Sequence, residues 1–240
     1  MLISIPWDAR LIAAAIDEYE GALPEYGWPN WVLGNHDQSR ISSRVGVQQA
    51  RVAAMLLLTL RGTPTIYYGD EIGMRDVPIP FNEVKDPQGL NMPDKNLSRD
   101  PSRTPMQWSN EENAGFTQGK PWLRLDKTYP RQNVQLEKES NFSMLTFYRR
   151  LVMFRQQEPS LMYGSFFPSA ADHQMIAFRR EAKGSRAFLI VLNLTHRPGY
   201  FRQDRLKGKI VLSTYPESEG IVVRENIDLS GDEGVVVQLD

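Results

Sequence analysis

The sequence predicts an α/β region followed by an all-β domain. Three observations point there. Apolar residues recur at helical spacing between short β-branched and aromatic runs in the first part of the chain, and from about Ile72 to Glu139 the periodicity lapses. Beyond Leu161 the texture becomes a series of short alternating or β-branched runs separated by Gly, Pro, Asn and Asp.

From Asp8 to Tyr19, the residues Leu11, Ile12, Ala15, Ile16 and Tyr19 repeat at helical intervals after Pro6 and Asp8, and "GWPN" stops that helix before Trp31. "WVLGN" reads as a short apolar strand, "VGVQQARVAAMLLLTLRG" as a second helix closed by Gly62, and "TPTIYYGDE" as a second strand. The segment from about residue 72 to 140 is rich in Pro, Asn, Asp and Gly and reads as a long ordered excursion rather than a separate core, a kind of loop that serves a site. "FSMLTFYRRLVMFRQQ" returns to helix, with Met144, Phe147, Leu151 and Phe154 on one side and Arg149, Arg150 and Arg155 toward water, and Glu158-Pro159 ends it. "MIAFRRE", "RAFLIVLNL", "KIVLS", "GIVV" and "EGVVVQLD" then form an antiparallel β-domain. The expected boundaries are 1–158 and 159–240.

Two strands linked by helices cannot close a parallel sheet or cover both of its faces. If they belong to a (β/α)8 barrel, eight strands are needed and this chain supplies only the last two. The expectation is therefore the C-terminal part of a TIM barrel, which leaves apolar surfaces uncovered for a missing N-terminal barrel part or for self-association.

Composition narrows the function classes. Lys plus Arg (28) nearly cancels Asp plus Glu (29) over 240 residues, a net charge of −1, which gives no footing for nucleic acid or an anionic membrane as partner. The absence of cysteine excludes a disulfide framework, a thiolate metal site and a thiol nucleophile. The longest apolar run, Val52 to Leu60, falls far short of the roughly 20 residues that cross a bilayer. The N-terminus shows no export signal; the compartment stays open, with a cytoplasmic one favoured over others. His173 and His196 have no partner histidine at ligand spacing, and neither a Walker-type nor a dinucleotide loop occurs, so no metal or cofactor is expected.

The candidate chemistry lies at strand ends and in the excursion. Asn35, His36 and Asp37 stand where "WVLG" stops, the end at which barrels build their sites. An imidazole and a carboxylate there can hold two neighbouring hydroxyls of a sugar while an amide braces them, and a plain turn capping the next helix accounts for the same residues. Asp70 and Glu71 are adjacent acids, but neighbours on an extended chain point to opposite faces and converge poorly on one bond. In "SRDPSRTPMQW", Arg99 and Arg103 could fix a carboxylate or sugar hydroxyls with Trp108 stacking on a sugar face, or they could be solvated loop charges.

"GNHDQSR", "GTPTIYYGDEIGM", "SRDPSRTPMQW", "NAGFTQGKPWL" and the "NV" at Asn133, in that order, resemble the α-glucosidase and oligo-1,6-glucosidase branch of the α-amylase family of glycoside hydrolases. The resemblance implies a catalytic barrel with "WVLGN" as seventh and "TIYYG" as eighth strand, followed by a C-terminal β-sandwich. It implies that Asp37 stabilises the transition state in the cleavage subsite, that His36, Arg99 and Arg103 bind the sugar, and that Asn35 and Arg40 support them. The ligand it implies is an α-glucosidic oligosaccharide. One departure matters: retaining glycosidases need a carboxylate nucleophile and an acid about 5 Å apart, and the family's Arg-x-Asp and Glu segments that supply them do not occur here. The expectation is a chain catalytically incompetent alone. A non-catalytic relative, such as a transporter-associated heavy chain acting as a binding subunit, is the alternative. A sugar-binding module on the β-domain finds no aromatic platform, since Tyr200 and Phe201 read as core.

Overall fold

A computed structural model of the protein describes residues 2–240. In chain order its elements are α1 (Ala9–Ala22), β1 (Asn30–Val32), α2 (Ile41–Val45), α3 (Val47–Thr59), β2 (Thr63–Thr65), α4 (Pro87–Asn91), α5 (Val134–Glu139), α6 (Met144–Gln157), α7 (Pro159–Met162), β3 (Ser165–Ala171), β4 (Met175–Glu181), β5 (Phe188–Asn193), β6 (Gly199–Ser213), β7 (Val222–Leu229) and β8 (Gly234–Leu239). They fall into two compact units. One comprises residues up to Leu33, Gln48–Thr65 and Arg149–Asp240; the other comprises Gly34–Val47 and Ile66–Tyr148.

In the first unit, α1 begins where the Asp8 carboxylate accepts the N–H groups of Arg10 (3.0 Å) and Leu11 (3.1 Å), satisfying two of the helix's orphan donors. Ile12 and Ile16 are buried, whereas Leu11 is exposed, so the apolar stripe is narrower than the periodicity suggested. The expected second helix is split at Gly46, whose φ of 83° no ordinary helix accommodates. α3 is buried almost all round, as its run of Val52 to Leu58 requires. At its end Gly62 (φ 113°) admits no side chain, because a Cβ there would lie 2.4 Å from the Pro29 carbonyl oxygen.

β1 and β2 pair in parallel, Asn30 with Thr63, Trp31 with Pro64 and Val32 with Thr65. Trp31 is buried, donates its indole N–H to the Arg61 carbonyl (2.5 Å) and meets Tyr19 edge-on at 5.1 Å. Among the described residues no third strand joins this pair. What lies uncovered there is largely polar, Asn30, Thr63 and Thr65, with Thr65 Oγ1 donating to Asn30 Oδ1 at 3.2 Å. A parallel pair of three-residue strands has too little ladder to stand as a sheet by itself.

Arg155 is not directed to water. It is buried and donates Nη1 to the carbonyls of Leu58 and Leu60 (both 2.8 Å) and Nη2 to that of Gly62 (2.6 Å). The last carbonyls of α3 have no intrahelical partners, and a cation at that negative end satisfies both their hydrogen bonds and the helix dipole. Arg180 does likewise for Thr59, and also bonds Leu161 and Gly164 (both 3.0 Å). Burial lowers Arg155 to about 10; burial and then the nearby Arg155 charge lower Arg180 to about 9. Both stay protonated at neutral pH.

The β-domain is an antiparallel ladder in the order β3-β4-β5-β8-β6-β7. Met175, Ala177, Leu189, Val191, Val235 and Val237 of β4, β5 and β8 gather with Phe201, Ile210, Val223 and Ile227 of β6 and β7 in one buried cluster. Register shifts between Arg202 and Lys207 and between Ile210 and Leu212 break the long strand β6, which bonds β7 and β8 in turn. Phe201 is core as expected; Tyr200 is not, being 70% exposed. Adjacent residues on a strand face opposite ways, so the two could not both be buried on one face.

The second unit is the excursion together with the segment after Gly34. It is ordered, as expected, but not without a core: Ile72, Met74, Met106, Val134 and Leu145 form a buried cluster. Asn133 starts α5 by accepting the Leu136 N–H (3.0 Å) and ties the preceding turn by donating to the Tyr129 carbonyl (2.7 Å).

Candidate functional site

The site is assembled within the second unit from three short segments. Leu33 and Gly34 end the strand run, and Asn35 folds the turn by accepting the Asp37 N–H on its own Oδ1 (2.9 Å). Asn35 thus makes a turn, as one reading of the sequence had it, but not a helix cap: α2 starts at Ile41 with no side-chain cap. His36 and Asp37 are both solvent-facing, and Asp37 Oδ2 lies 3.4 Å from His36 Nε2.

Arg99 and Arg103 come to this turn from the excursion. Asp37 Oδ1 accepts Arg99 Nη1 (3.1 Å) and Arg103 Nη2 (3.2 Å), while Arg103 Nε donates to the His36 carbonyl (2.8 Å). The four residues singled out as sugar contacts therefore meet in one cluster. Two guanidinium forks, an imidazole and a carboxylate, all partly open to solvent, offer several donors and an acceptor to vicinal hydroxyls. Trp108 lies in a different turn, its N–H on the Ala114 carbonyl (2.9 Å) and its indole exposed.

Asp86 was not anticipated. It is buried, and its carboxylate receives Arg99 Nε (2.9 Å), Arg99 Nη2 (2.6 Å) and the Arg99 backbone N–H (2.8 Å). That bidentate grip leaves Arg99 Nη1 aimed at Asp37. Asp100 returns the contact, accepting the N–H groups of Lys85 (2.6 Å) and Asp86 (3.0 Å) on Oδ2. The Arg99 guanidinium holds Asp86 well below the usual carboxylate range, outweighing the opposite effect of burial, and the backbone N–H groups of Arg99 and Gln88 add to it. "KDPQG" carries a local signal, an Asp before Pro at a helix start; its partnership with Arg99, thirteen residues on, leaves none.

Arg40 lies beneath the turn rather than in the cluster. Fully buried, it sits 4.9 and 4.6 Å from the ring centres of Tyr67 and Tyr68 and donates Nη1 to the Tyr68 carbonyl (2.6 Å). Its backbone N–H and the Ser39 hydroxyl both bond Asp76. The tyrosine hydroxyls in turn hold the arginine segment, Tyr67 on the Ser102 carbonyl (3.2 Å) and Tyr68 on that of Thr104 (2.6 Å). Gly34 permits the turn to lie against Asp70, since a Cβ there would come 2.7 Å from Asp70 Oδ2.

Asp70 itself is buried and does not share a bond-breaking position with Glu71. Burial raises its carboxyl to about 7, opposed by Arg40 and assisted by Glu71, with smaller lowering effects of the Tyr67 backbone and Arg44. Between about pH 4 and 7 the folded chain therefore keeps a proton that the unfolded chain has released, so the stability present below pH 4 is lost as pH rises through 7. The limiting slope is roughly 1.4 kcal/mol per pH unit. Asp70→Asn is expected to remove that slope, so that urea midpoints of parent and variant diverge between pH 4.5 and 7.5; parallel curves would refute the assignment.

Residues 4–164 match the family model for the alpha amylase catalytic domain. Maltase 1 of Drosophila virilis is 36% identical over 224 residues, covering 88% of this chain and 35% of its own. The amino acid transporter heavy chain SLC3A1 of Rattus norvegicus is 36% identical over 234 residues, covering 93% and 33%. The trehalulose synthase MutB of Pseudomonas mesoacidophila superposes with a TM-score of 0.88 at 28% identity, covering 95% of this chain and 46% of that one; it has also been crystallised, as mutants, with isomaltulose and with glucose. The chain thus spans about a third of the length of these two curated relatives. With the β1–β2 pair and the β-domain, it is a barrel portion followed by an antiparallel β-domain.

Proposed function

The chain belongs to the alpha-amylase family of glycoside hydrolases, and from that premise we propose that it carries the sugar-gripping side of a retaining α-glucosidase cleft, without the acid pair that breaks the bond. The observation behind this reading is the convergence of Arg99, Arg103 and His36 on Asp37. In the proposed roles Asp37 stabilises the oxocarbenium-like transition state, His36, Arg99 and Arg103 bind hydroxyls of the terminal glucosyl unit, Asn35 fixes the turn and Arg40 supports it from below. Residues 1–158 form the barrel portion and 159–240 the β-domain.

Double displacement requires a nucleophile and an acid about 5 Å apart. Asp37 is the carboxylate facing the cluster's solvent side among the described residues, Asp86 being buried and engaged by Arg99. The partners in this reading are an α-glucosidic oligosaccharide and a polypeptide supplying the remaining barrel strands, or a second copy of this chain. The unextended β1–β2 pair supports that requirement. Sizing by light scattering, alone and mixed with the preceding strands of a family member, tests it. Association with gain of turnover on maltose or isomaltose is expected; a monodisperse monomer of high thermal stability that binds nothing would contradict it.

Similarity to the transporter heavy chain favours a second reading, a non-catalytic binding subunit. A subunit of that kind has no physical need for two guanidinium donors focused on one solvent-facing carboxylate beside an imidazole, which is why the enzyme reading is preferred. Mixing that yields a stable complex without turnover would reverse the preference.

A further inference from the structure

We propose that the depression around Trp122, in the second unit, is a further carbohydrate contact that takes one pyranose ring of an oligosaccharide. The ligand class rests on the reading above; the site itself rests on its own geometry. The depression has a volume of about 360 Å³ and is lined by Asn82, Glu83, Lys85, Lys120, Trp122 and Arg124 among others. Trp122 is 58% exposed, while Leu123 beside it is 3% exposed. Leu123 is thus the buried anchor of this stretch, and the large indole beside it is turned outward. An indole uncovered in a concave, polar-rimmed surface is the usual preparation for an amphipathic ligand.

The walls are built rather than incidental. Arg124 grips Glu83 with both Nε (2.9 Å) and Nη2 (2.5 Å), joining two stretches of chain 41 residues apart. Lys85, on the same wall, is pinned through its backbone N–H to Asp100, within the clasp in which Asp86 holds Arg99. The rim offers donors from Lys85, Lys120, Asn82 and Arg124 and an acceptor in Glu83. A pyranose matches both properties, with an apolar C–H face for the indole and hydroxyls that donate as well as accept. Glu83, which Arg124 keeps ionised, can accept from a sugar hydroxyl and repels an anion, whereas Lys85 and Lys120 attract one, so inorganic phosphate is the discriminating probe.

Titration of the intact chain with isomaltotriose, maltotriose, glucose and inorganic phosphate, followed by the indole N–H resonances, tests the proposal. Trp122→Phe serves to assign the signal. A saturable shift of the Trp122 resonance with a trisaccharide, retained in Asp37→Asn and weakened about ten-fold in affinity by Trp122→Ala, is expected. The titration of the parent needs no variant to fold. A silent Trp122 while Arg99 and Arg103 resonances respond to sugar would overturn this site and leave the functional reading standing. Silence of both would overturn both. An equal response to phosphate would overturn the assignment to a neutral sugar.

Discussion

Arg155→Ala is expected to destabilise the chain by on the order of 3–5 kcal/mol, the largest loss of any single substitution considered. The side chain is buried and supplies the hydrogen-bond donors to three carbonyls, those of Leu58, Leu60 and Gly62. Each buried acceptor left unpaired costs about 1–3 kcal/mol, and truncation adds a cavity. Arg155→Met separates the two contributions, because it fills much of the volume and restores no donor. Urea unfolding of both variants should give nearly the same large loss, most of it therefore polar. A loss below about 1 kcal/mol in either would mean that water reaches those carbonyls.

Asp37→Asn is expected to lower kcat/KM by roughly 10²–10³ in the active complex proposed above, the scale of losing one electrostatic contributor to a transition state. An amide keeps the size and one acceptor oxygen, so the substitution removes charge and little else. Arg99 and Arg103 would then face each other without the carboxylate that now lies between them. The loss should fall mainly on kcat, since the charge matters most when the sugar ring becomes cationic. An equal loss carried wholly by KM would assign Asp37 to ground-state binding instead.

Much of the site was legible because its residues sit at strand ends and in a punctuated loop. The "NHD" tripeptide after an apolar run identified Asn35, His36 and Asp37 with no knowledge of their contacts, and the paired arginines in "SRDPSR" could be named for their chemistry. What the sequence did not disclose is which partners those charges choose. Asp86 reads as an ordinary helix cap, and its grip on Arg99 is a long-range event without local pattern. Arg155 shows the same limit in reverse: helical spacing placed it toward water, whereas unmet carbonyls at the end of another helix drew it inside. In the β-domain the strands with continuous apolar or β-branched runs, β4, β5 and β8, were plain. β3 was missed because Pro168 and small exposed residues mark an edge strand, and the first half of β6 because charged residues fill it.

The residues proposed to contact sugar are held by contacts within one compact unit. All six residues named for the site lie in the second unit, which has its own buried cluster and its own tethers from Tyr67 and Tyr68 to the arginine segment.

The most direct test of the central claim is to assay the isolated chain on maltose, isomaltose and a chromogenic α-glucoside. The account predicts no turnover above the buffer rate at any enzyme concentration. Turnover by the chain alone that Asp37→Asn abolishes would contradict it, because the bond-breaking acids would then have to lie among these 240 residues.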